Sequence, residues 1–471
     1  MLVLKFGGSS LGTVHRIQQV AEIIQTTARD NPELAVVVSA FGGVTNQLIQ
    51  TAQQAAEGND AYQETLKWIE EKHLQTVREL LPARSQTQTS MFIMQELTNL
   101  RNVLHGLYLV KELSARTLDY VMSFGERFSA YIVAQLLQHQ GLPAFYLDAR
   151  RVIRTDNSFG GARVNYAITN KNIQAFFAQQ EGIAVITGFI ASTENHQTTT
   201  LGRSGSDFTA SIFGAALHAS EIQIWTDVDG VLTADPRMVP EAFTIPELSY
   251  EEAMELSHFG ATVVHPRTMQ PALETHIPIR IKNTFNPQHP GTVICRQPAP
   301  SAYAIKGISS IPRIGLINVS GTGMIGATGI AGKIFTALAG QEINIILISQ
   351  ASSEHSICFG VLPEDAPKAQ QVLKKALRLE LLEKTVGDIQ VETDLAVVAV
   401  VGENMRHTAG IAGKVFSALG SANINIVAIA QGSSELNISL VVHQRDLQSA
   451  LQTIHGAFFS HREVRHAHNK F

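Results

Sequence analysis

Residues 1–10 read MLVLKFGGSS. The apolar residues Val3–Phe6 predict a short buried strand, and Gly7 and Gly8 end it and allow a tight turn into a helix. The β-branched run Leu34–Ser39 repeats the arrangement, because another pair of glycines and a helical pattern follow it. Apolar runs of this kind are typical of parallel strands that are covered on both faces. We therefore predict an α/β fold with a mainly parallel sheet.

The same alternation of strands and helices continues to about residue 295. The segment from Leu48 to about Ala115 is predicted to be mostly helical, with a break in the polar stretch Arg84–Ser90. The Pro- and Asn-rich stretch Asn283–Pro300 predicts a domain boundary, so residues 1–295 form the first predicted domain. Further strands are predicted at Ala144–Leu147, Ile183–Thr187, Ile222–Thr226 and Ile277–Ile281.

The last third of the chain contains an internal repeat. Gly329–Val361 and Gly410–Val442 align at an offset of 81 residues (410 minus 329), and 18 of the 33 aligned positions are identical. Each copy has the pattern of a strand, a glycine-containing turn, an amphipathic helix and two more strands. We predict two small α+β domains, at residues 307–389 and 390–471, with their sheets side by side.

The composition excludes several classes of protein. A formal net charge of −5 and the lack of a Lys/Arg-rich block argue against a nucleic-acid partner. Two cysteines are too few for a disulfide framework or a cysteine-ligated zinc site. The N-terminus lacks the pattern of a signal peptide, and no apolar run is long enough to span a membrane. We expect a cytoplasmic protein without a membrane partner.

The first glycine turn has the groups that a phosphate site needs. Lys5 supplies a positive charge, Gly7 and Gly8 allow backbone amides to approach phosphate oxygens, and the following helix N-terminus favours an anion. Such turns are more often only tight connections, which stays an alternative at this point.

Two later clusters contain polar groups that are suited to binding a second substrate. The loop TTTLGRSGSD contains Arg203, whose guanidinium suits a carboxylate, and then Ser206 and Asp207 at the start of a helix. The alternative is that Ser206 or Asp207 merely caps that helix. WTDVDG (residues 225–230) and ADPR (residues 234–237) follow a predicted strand, where ligands of open α/β sheets bind, although ordinary turns would also explain them.

Together these motifs resemble the aspartate kinases of the amino-acid kinase family, and the repeat resembles the tandem ACT domains of that family. The resemblance covers essentially the whole chain and includes threonine-responsive enzymes that are fused to homoserine dehydrogenase. The matching motifs are KFGGSS, SFGE (residues 123–126), TTTLGRSGSD, WTDVDG, ADPR, EEAMELSHFG (residues 251–260) and HPR (residues 265–267).

The resemblance implies an ATP-dependent phosphorylation of the side-chain carboxylate of L-aspartate, which supplies lysine, methionine and threonine biosynthesis. It implies Lys5 and Asp207 as catalytic residues and Thr45, Glu126, Arg203 and Ser206 as aspartate-binding residues. It implies an ATP site formed by Lys5, Gly7, Gly8, Ser39, Thr226, Asp227, Leu232, Arg237 and Thr262. Mg²⁺ is expected to arrive on the ATP phosphates, without a dedicated metal site in the protein.

Two positions depart from the family pattern. Leu232 stands where a tyrosine near the adenine is usual, and an apolar side chain there still covers a base. Thr262 stands where a lysine is usual, which removes a cation from the phosphate side. Loss of such a transition-state donor costs about 3–4 kcal/mol, so turnover is slower unless another basic residue substitutes. Arg237 and Arg267 are the candidates for that substitute.

The repeat predicts regulation by an amino acid. Both copies keep an Asn-Ile pair (Asn344, Asn425) and a Gln-x-Ser-Ser-Glu run (beginning at Gln350 and Gln431). Amides both donate and accept hydrogen bonds, which suits a small zwitterion, although strand-end capping is the alternative. The resemblance implies threonine rather than lysine as effector and a homodimer or higher homo-oligomer through the ACT domains. No dehydrogenase activity is expected.

Two other functions compete with aspartate phosphorylation. One is a related kinase that acts on a different amino acid. The other is an inactive or weak kinase that serves as an amino-acid-binding regulatory subunit, for which the missing lysine at Thr262 is the only support.

Overall fold

The computed structural model describes residues 1–260, 264–350 and 355–460. The strands are, in chain order, β1 (Leu2–Phe6), β2 (Leu34–Val38), β3 (Ala144–Leu147), β4 (Arg154–Thr155), β5 (Ile183–Thr187), β6 (Ile190–Thr193), β7 (Thr198–Thr200), β8 (Glu221–Thr226), β9 (Glu247–Ser249), β10 (Ile279–Asn283), β11 (Thr292–Cys295), β12 (Gly307–Ser320), β13 (Leu347–Gln350), β14 (Ser356–Val361), β15 (Asp388–Val401), β16 (Ala428–Ala430) and β17 (Asn437–His443).

The α-helices are α1 (Val14–Asp30), α2 (Val44–Ala56), α3 (Tyr62–Leu80), α4 (Ala83–Val110), α5 (Ala115–His139), α6 (Tyr166–Phe177), α7 (Gly205–Ala216), α8 (Tyr250–His258), α9 (Pro266–Thr275), α10 (Ile330–Ala339), α11 (Ala366–Ala376), α12 (Arg378–Leu382), α13 (Ile411–Ser421) and α14 (Leu447–Phe459). Within the described ranges, every helix falls short of the length and apolar character needed to cross a bilayer.

The chain divides into two compact units. One comprises Met1–Val231, Pro246–Tyr250 and the described part of Val263–Pro298; the other comprises Leu232–Ile245 and the described parts of Glu251–Thr262 and Ala299–Phe471. The predicted limits of the three domains, 1–295, 307–389 and 390–471, stay predictions.

The first unit is built on an eight-stranded sheet with the order β3-β5-β2-β1-β8-β10-β11-β9. Only the β10–β11 pair is antiparallel, which confirms the predicted mainly parallel sheet. Side chains alternate between the faces of a strand. Leu2, Leu4 and Phe6 of β1 therefore enter the core formed with α1–α5, whereas Lys5 points to the opposite face, on which α7 packs.

The helical break near Arg84–Ser90 was predicted wrongly. The structure begins α4 at Ala83, so this polar stretch is helical, and the interruption lies at Leu81–Pro82. Proline restricts the residue before it to extended conformations and fits the start of a helix, so it ends α3 and precedes α4. Of the polar side chains in the stretch, Thr87 and Gln88 are exposed, whereas Thr89 is buried and its hydroxyl donates to the Ser85 carbonyl one turn earlier in α4.

The second unit contains a six-stranded antiparallel sheet with the order β13-β14-β12-β15-β17-β16. The two 14-residue strands β12 and β15 pair along their length, with register shifts between Ile311 and Leu316. β14 and then β13 lie beside β12, and β17 and then β16 lie beside β15, so each repeat contributes one half of a shared sheet. This arrangement confirms the prediction that the sheets of the repeat lie side by side.

Candidate active site

A cavity of about 620 Å³ lies in the first unit where β1 and β2 end. This volume is within the range of small-molecule sites in proteins, and the carboxyl ends of parallel strands are where such ligands bind. The lining includes eight of the residues that the sequence predicted for the site: Lys5, Gly8, Ser39, Thr45, Glu126, Arg203, Ser206 and Asp207.

Lys5 and Asp207 form a buried ion pair in this cavity. Lys5 Nζ lies 2.5 Å from Asp207 Oδ1, and each side chain is only 11% exposed. Asp207 belongs to the first turn of α7, whose N-cap position is Ser204, with a left-handed backbone and no side-chain cap hydrogen bond. Neither Ser206 nor Asp207 is the cap, so the capping alternative does not explain them. The carboxylate instead holds the ammonium group in place.

The glycine turn after β1 leaves space beside the lysine. A Cβ atom built on Gly7 would lie 3.3 Å from Lys5 Nζ, and one built on Gly8 would lie 3.3 Å from the carbonyl oxygen of Ala40. The Gly7 amide donates to the Trp225 carbonyl at 3.4 Å, so this residue belongs to the contact between β1 and β8 and is not part of the cavity lining. Gly8 does line the cavity, and its missing side chain allows the turn to pack closely against the backbone of Ala40 and Gly42.

Glu126 places a buried carboxyl group in the cavity wall. It lies in α5 and is buried; its Oε1 accepts a hydrogen bond from the Ala40 amide at 3.2 Å, while Oε2 has no hydrogen-bond partner among the residues that the structure describes. Burial raises the pKa of this carboxyl to about 8, and the Ala40 hydrogen bond acts in the opposite direction. A buried carboxylate oxygen without a partner is costly. It is therefore suited to a positively charged ligand group.

Arg203, in the loop before α7, and Ser206, in the first turn of α7, both line the cavity. Arg203 is exposed, and Ser206 is buried against Gly188. A Cβ on Gly188 would lie 2.6 Å from Ser206 Oγ and 3.0 Å from the carbonyl oxygen of Val38. Only a residue without a side chain fits between these two groups.

We expect Gly188→Ala to destabilise the protein by about 1–3 kcal/mol, because the methyl group overpacks the site and displaces Ser206. Urea unfolding measures the change. Gly106→Ala is the matched control, since a Cβ on Gly106 in α4 would meet no atom within 4 Å. That variant should keep or gain up to about 1 kcal/mol of stability through helix propensity. Equal stability of the two variants would refute the packing argument.

The predicted nucleotide residues are only partly brought together. Thr226 ends β8 beside β1, its hydroxyl donates to Asp227 at 3.2 Å, and Asp227 is exposed. Neither residue lines the cavity. Leu232 and Arg237 belong to the second unit, where Arg237 is exposed and paired with Asp235 at 2.6 Å. Thr262 lies outside the described residues.

Of the two candidate substitutes for the missing lysine, Arg267 belongs to the same unit as the cavity. Its guanidinium lies 5.6 Å from the ring centre of Phe208 in α7 and donates to the Ala162 carbonyl at 3.2 Å. The adjacent His265 has its pKa lowered by burial and by the charges of Arg203 and Arg267. These interactions bring α9 and its cation close to the Arg203 loop.

Sequence reasoning missed a group of residues around the cavity. Gly160 and Thr200 line it. The backbone amides of both residues donate hydrogen bonds to the carboxylate of Asp119 in α5, which is 1% exposed. Asp119 lies on the buried side of α5, one to two turns before Ser123 and Glu126. An acid in such a position was the available signal, because charged residues are rarely fully buried without partners.

The predicted effector residues flank the two edge strands of the second unit. Asn344 precedes β13 and Gln350 ends it, whereas Asn425 precedes β16 and Gln431 follows it. All four are exposed. The edge strands approach each other, since Ser349 Oγ of β13 donates to the Ile429 carbonyl of β16 at 2.7 Å. The remainder of the first Gln-x-Ser-Ser-Glu run, residues 351–354, lies outside the described residues.

Comparisons with protein families give two matches. A model described as the amino acid kinase family matches residues 1–283, and a model described as the ACT domain matches residues 317–377 and 398–458.

Curated relatives and solved structures are similar over nearly the whole chain. A bifunctional aspartokinase/homoserine dehydrogenase 2 from Zea mays is 39% identical and covers 97% of the chain and 50% of its own length. Aspartokinase 1 from Arabidopsis thaliana is 34% identical, with coverage of 97% and 80%. The crystal structure of Escherichia coli aspartokinase III with aspartate and ADP is 29% identical, with a TM-score of 0.80 over 98% of the chain and 100% of its own. Clostridium acetobutylicum aspartate kinase has 29% identity and a TM-score of 0.83 over 97% and 100%. The chain spans about half the length of the bifunctional relatives.

Proposed function

The chain belongs to the amino acid kinase family and, within it, to the aspartokinases with tandem ACT domains, and we propose on this basis that it transfers the γ-phosphoryl group of ATP to the side-chain carboxylate of L-aspartate. The observation that carries the proposal is a single cavity with the buried Lys5–Asp207 pair on one side and the unpartnered Glu126 Oε2 on the other. One solved relative is described with aspartate and ADP bound.

Lys5 stabilises the charge that develops on the transferred phosphoryl group. Phosphoryl transfer depends on positioning and on fixed positive charge. Asp207 holds the ammonium group in the required orientation, and the absence of a side chain at Gly7 leaves the space beside it free for phosphate oxygens. The aspartate carboxylate is ionised at neutral pH and attacks without losing a proton, so Asp207 does not serve as an obligatory base.

The other side of the cavity recognises aspartate. Glu126 Oε2 pairs with the ammonium group of the substrate, Arg203 pairs with a carboxylate, and the hydroxyl groups of Thr45 and Ser206 contribute hydrogen bonds. The guanidinium geometry suits a bidentate contact with a carboxylate. The distance from Glu126 and Arg203 to Lys5 then selects an amino-acid substrate whose side-chain carboxylate is long enough to reach the phosphoryl group.

The nucleotide is held by Lys5, Gly8 and Ser39 at its phosphates and by Thr226 and Asp227, which follow at the end of the neighbouring strand β8, elsewhere. Mg²⁺ reaches the site on the ATP phosphates and neutralises part of their charge. Thr262 does not supply the usual cation, and Arg267 substitutes for it through its place beside the Arg203 loop.

A hydroxamate assay tests the proposed function, because hydroxylamine traps acyl phosphates. With ATP and Mg²⁺ the protein should form the hydroxamate from aspartate and not from glutamate. Product from glutamate alone would refute the substrate. Binding of an amino acid without any turnover would instead support the second candidate, a regulatory subunit, which the absence of lysine at position 262 favours.

The tandem ACT domains make this an allosteric kinase with threonine as the effector and lysine less suitable. A solved relative is described in a T-state with lysine and aspartate. Because Asn344, Gln350, Asn425 and Gln431 are exposed, a second copy of the chain completes their site in a homodimer or a higher homo-oligomer. The pathway supplied is that of lysine, methionine and threonine, and the cytoplasm is the proposed location.

We expect threonine to inhibit aspartate phosphorylation, and Gln431→Ala to raise the half-inhibitory concentration about 10- to 100-fold, since one lost hydrogen bond to a charged ligand is worth about 1.5–3 kcal/mol. Initial rates against threonine concentration measure this. Without effector, kcat should equal that of the unaltered protein. Inhibition by lysine alone, or an unchanged threonine response, would contradict the assignment.

A further inference from the structure

Asp119 is a buried carboxylate whose hydrogen bonds, among the described residues, all come from two segments at the cavity. Its Oδ1 accepts from Thr200 Oγ1 at 2.8 Å and from the Gly160 amide at 3.1 Å. Its Oδ2 accepts from the Thr200 amide at 3.0 Å and from the Gly160 amide at 3.0 Å. Both partner residues line the cavity.

The carboxylate has no cationic partner among its hydrogen bonds in the described ranges. Burial raises the pKa of Asp119, and the hydrogen bonds from Gly160 and Thr200 act in the opposite direction. Burying an acid without a cation is costly, and only several converging donors make it tolerable. If this position served packing alone, an apolar residue would fill it without the free-energy cost of burying a carboxylate. The four hydrogen bonds that the Asp119 carboxylate accepts therefore indicate that its role is to hold Gly160 and Thr200 in place.

One of the two segments that Asp119 joins, at Thr200, continues directly into the Arg203 loop, and the other, at Gly160, packs against it. The Ala162 amide donates to the Thr200 carbonyl at 2.9 Å. Gly202 has φ +78° and approaches the second segment closely, since a Cβ on it would lie 3.4 Å from Gly161 Cα. Thr200 is three residues before Arg203, so its position sets where the guanidinium group can reach.

We propose that Asp119 is a positioning residue for aspartate binding: by fixing Thr200 and Gly160 it holds the Arg203 loop in the geometry that grips the substrate carboxylate. The inference rests on the proposed function and deepens it. Asp119 does not touch substrate; it acts through the backbone. Its removal therefore affects the binding of aspartate and leaves the phosphate side, formed by Lys5 and Asp207, in place.

Asp119→Asn tests this proposal, because the amide retains the size and replaces one acceptor by a donor that faces N–H groups. We expect the KM for aspartate to rise about tenfold to 100-fold, the range that small displacements of substrate-positioning groups produce, while the KM for ATP changes less than about twofold. Thr200→Val removes only the hydroxyl donor and should raise the KM for aspartate about threefold to tenfold.

The two substitutions should not be additive, since Thr200→Val removes a partner of the same carboxylate. If Asp119→Asn does not fold, Thr200→Val alone decides, because it keeps three of the four contacts to Asp119. Glu221→Gln is the matched control. Glu221 pairs with Arg280 at 2.8 Å at the opposite end of β8, and its change to an amide should leave both KM values unaltered.

The outcomes separate this inference from the proposed function. A wild-type protein that does not phosphorylate aspartate refutes the proposed function. A wild-type protein that does so, with Asp119→Asn or Thr200→Val variants that keep the wild-type KM for aspartate, refutes the positioning role. An equal rise in the KM for aspartate and ATP also refutes it, because that result indicates a general structural role.

Discussion

Lys5→Met should lower kcat for aspartate phosphorylation about 100- to 1,000-fold, the usual loss when one preorganised transition-state donor is removed. The ammonium group is the buried cation of the cavity beside the glycine turn, and its partner Asp207 fixes it at 2.5 Å. Methionine retains the length and apolar character of the side chain but carries no charge. The KM for aspartate should change much less, because Glu126 and Arg203 remain. Steady-state kinetics with the hydroxamate assay measure both quantities.

The stability of this variant must be measured alongside its rate. Loss of one partner of a buried ion pair costs about 3–5 kcal/mol, because the other charge is left uncompensated. The double variant with Lys5→Met and Asp207→Asn removes both charges and should recover most of that stability without recovering activity. Lys282→Met is the matched control: this lysine lies on β10 over the Trp225 ring, outside the cavity lining. A rate within twofold of wild type for Lys5→Met would remove Lys5 from the active site.

Glu126→Gln should raise the KM for aspartate at least about 30-fold, because truncating one partner of a buried charged contact costs about 2–5 kcal/mol. Oε2 has no hydrogen-bond partner in the structure, which leaves it available to the substrate ammonium group. In the unliganded protein burial raises the Glu126 pKa to about 8. At pH 7 aspartate binding should therefore release a proton, and affinity should weaken as the pH falls from 8 to 6. Calorimetry in buffers of different ionisation enthalpy measures the proton release, which the Gln variant should lack.

The raised pKa of Glu126 also predicts that the stability of the protein falls as the pH rises, whereas the affinity for aspartate increases. A folded-state pKa above the unfolded value of about 4.5 means that the contribution to stability is full below pH 4.5 and is lost as the pH rises through about 8. Glu126→Gln cannot lose a proton, so it should be more stable than wild type at pH 8 and similar at pH 5. Glu96→Gln is the control, because Glu96 is buried in an ion pair with Arg127. That variant should be less stable than wild type at both pH values.

The sequence alone predicted the site residues that belong to recognisable motifs, but not the residues that act through contacts between distant segments. The resemblance singled out Lys5, Glu126, Arg203 and Asp207, and the first of these is 202 positions from the last. Their convergence follows from the order of strands β2, β1 and β8, which no local pattern reveals. Asp119 was missed because its role depends on two loops that meet only in the folded chain.

The architecture was predicted where it follows from local pattern. Apolar runs predicted the parallel strands, and the 33-residue repeat predicted the shared sheet of the second unit. The polar stretch Arg84–Ser90 was misread because polarity was taken for a break, although hydroxyl and amide side chains are accommodated within α4, where Thr89 bonds the Ser85 carbonyl. The placement of Leu232–Ile245 in the second unit could not be predicted, since it rests on distant contacts such as Thr233 with His455 at 3.0 Å.

The most direct test is a crystal structure of the protein with L-aspartate and a non-hydrolysable ATP analogue. We predict the aspartate ammonium group within hydrogen-bond distance of Glu126 Oε2, a carboxylate on Arg203, and the terminal phosphate of the analogue on Lys5 Nζ. Aspartate bound away from Glu126, or a nucleotide whose phosphates do not reach Lys5, would contradict the account.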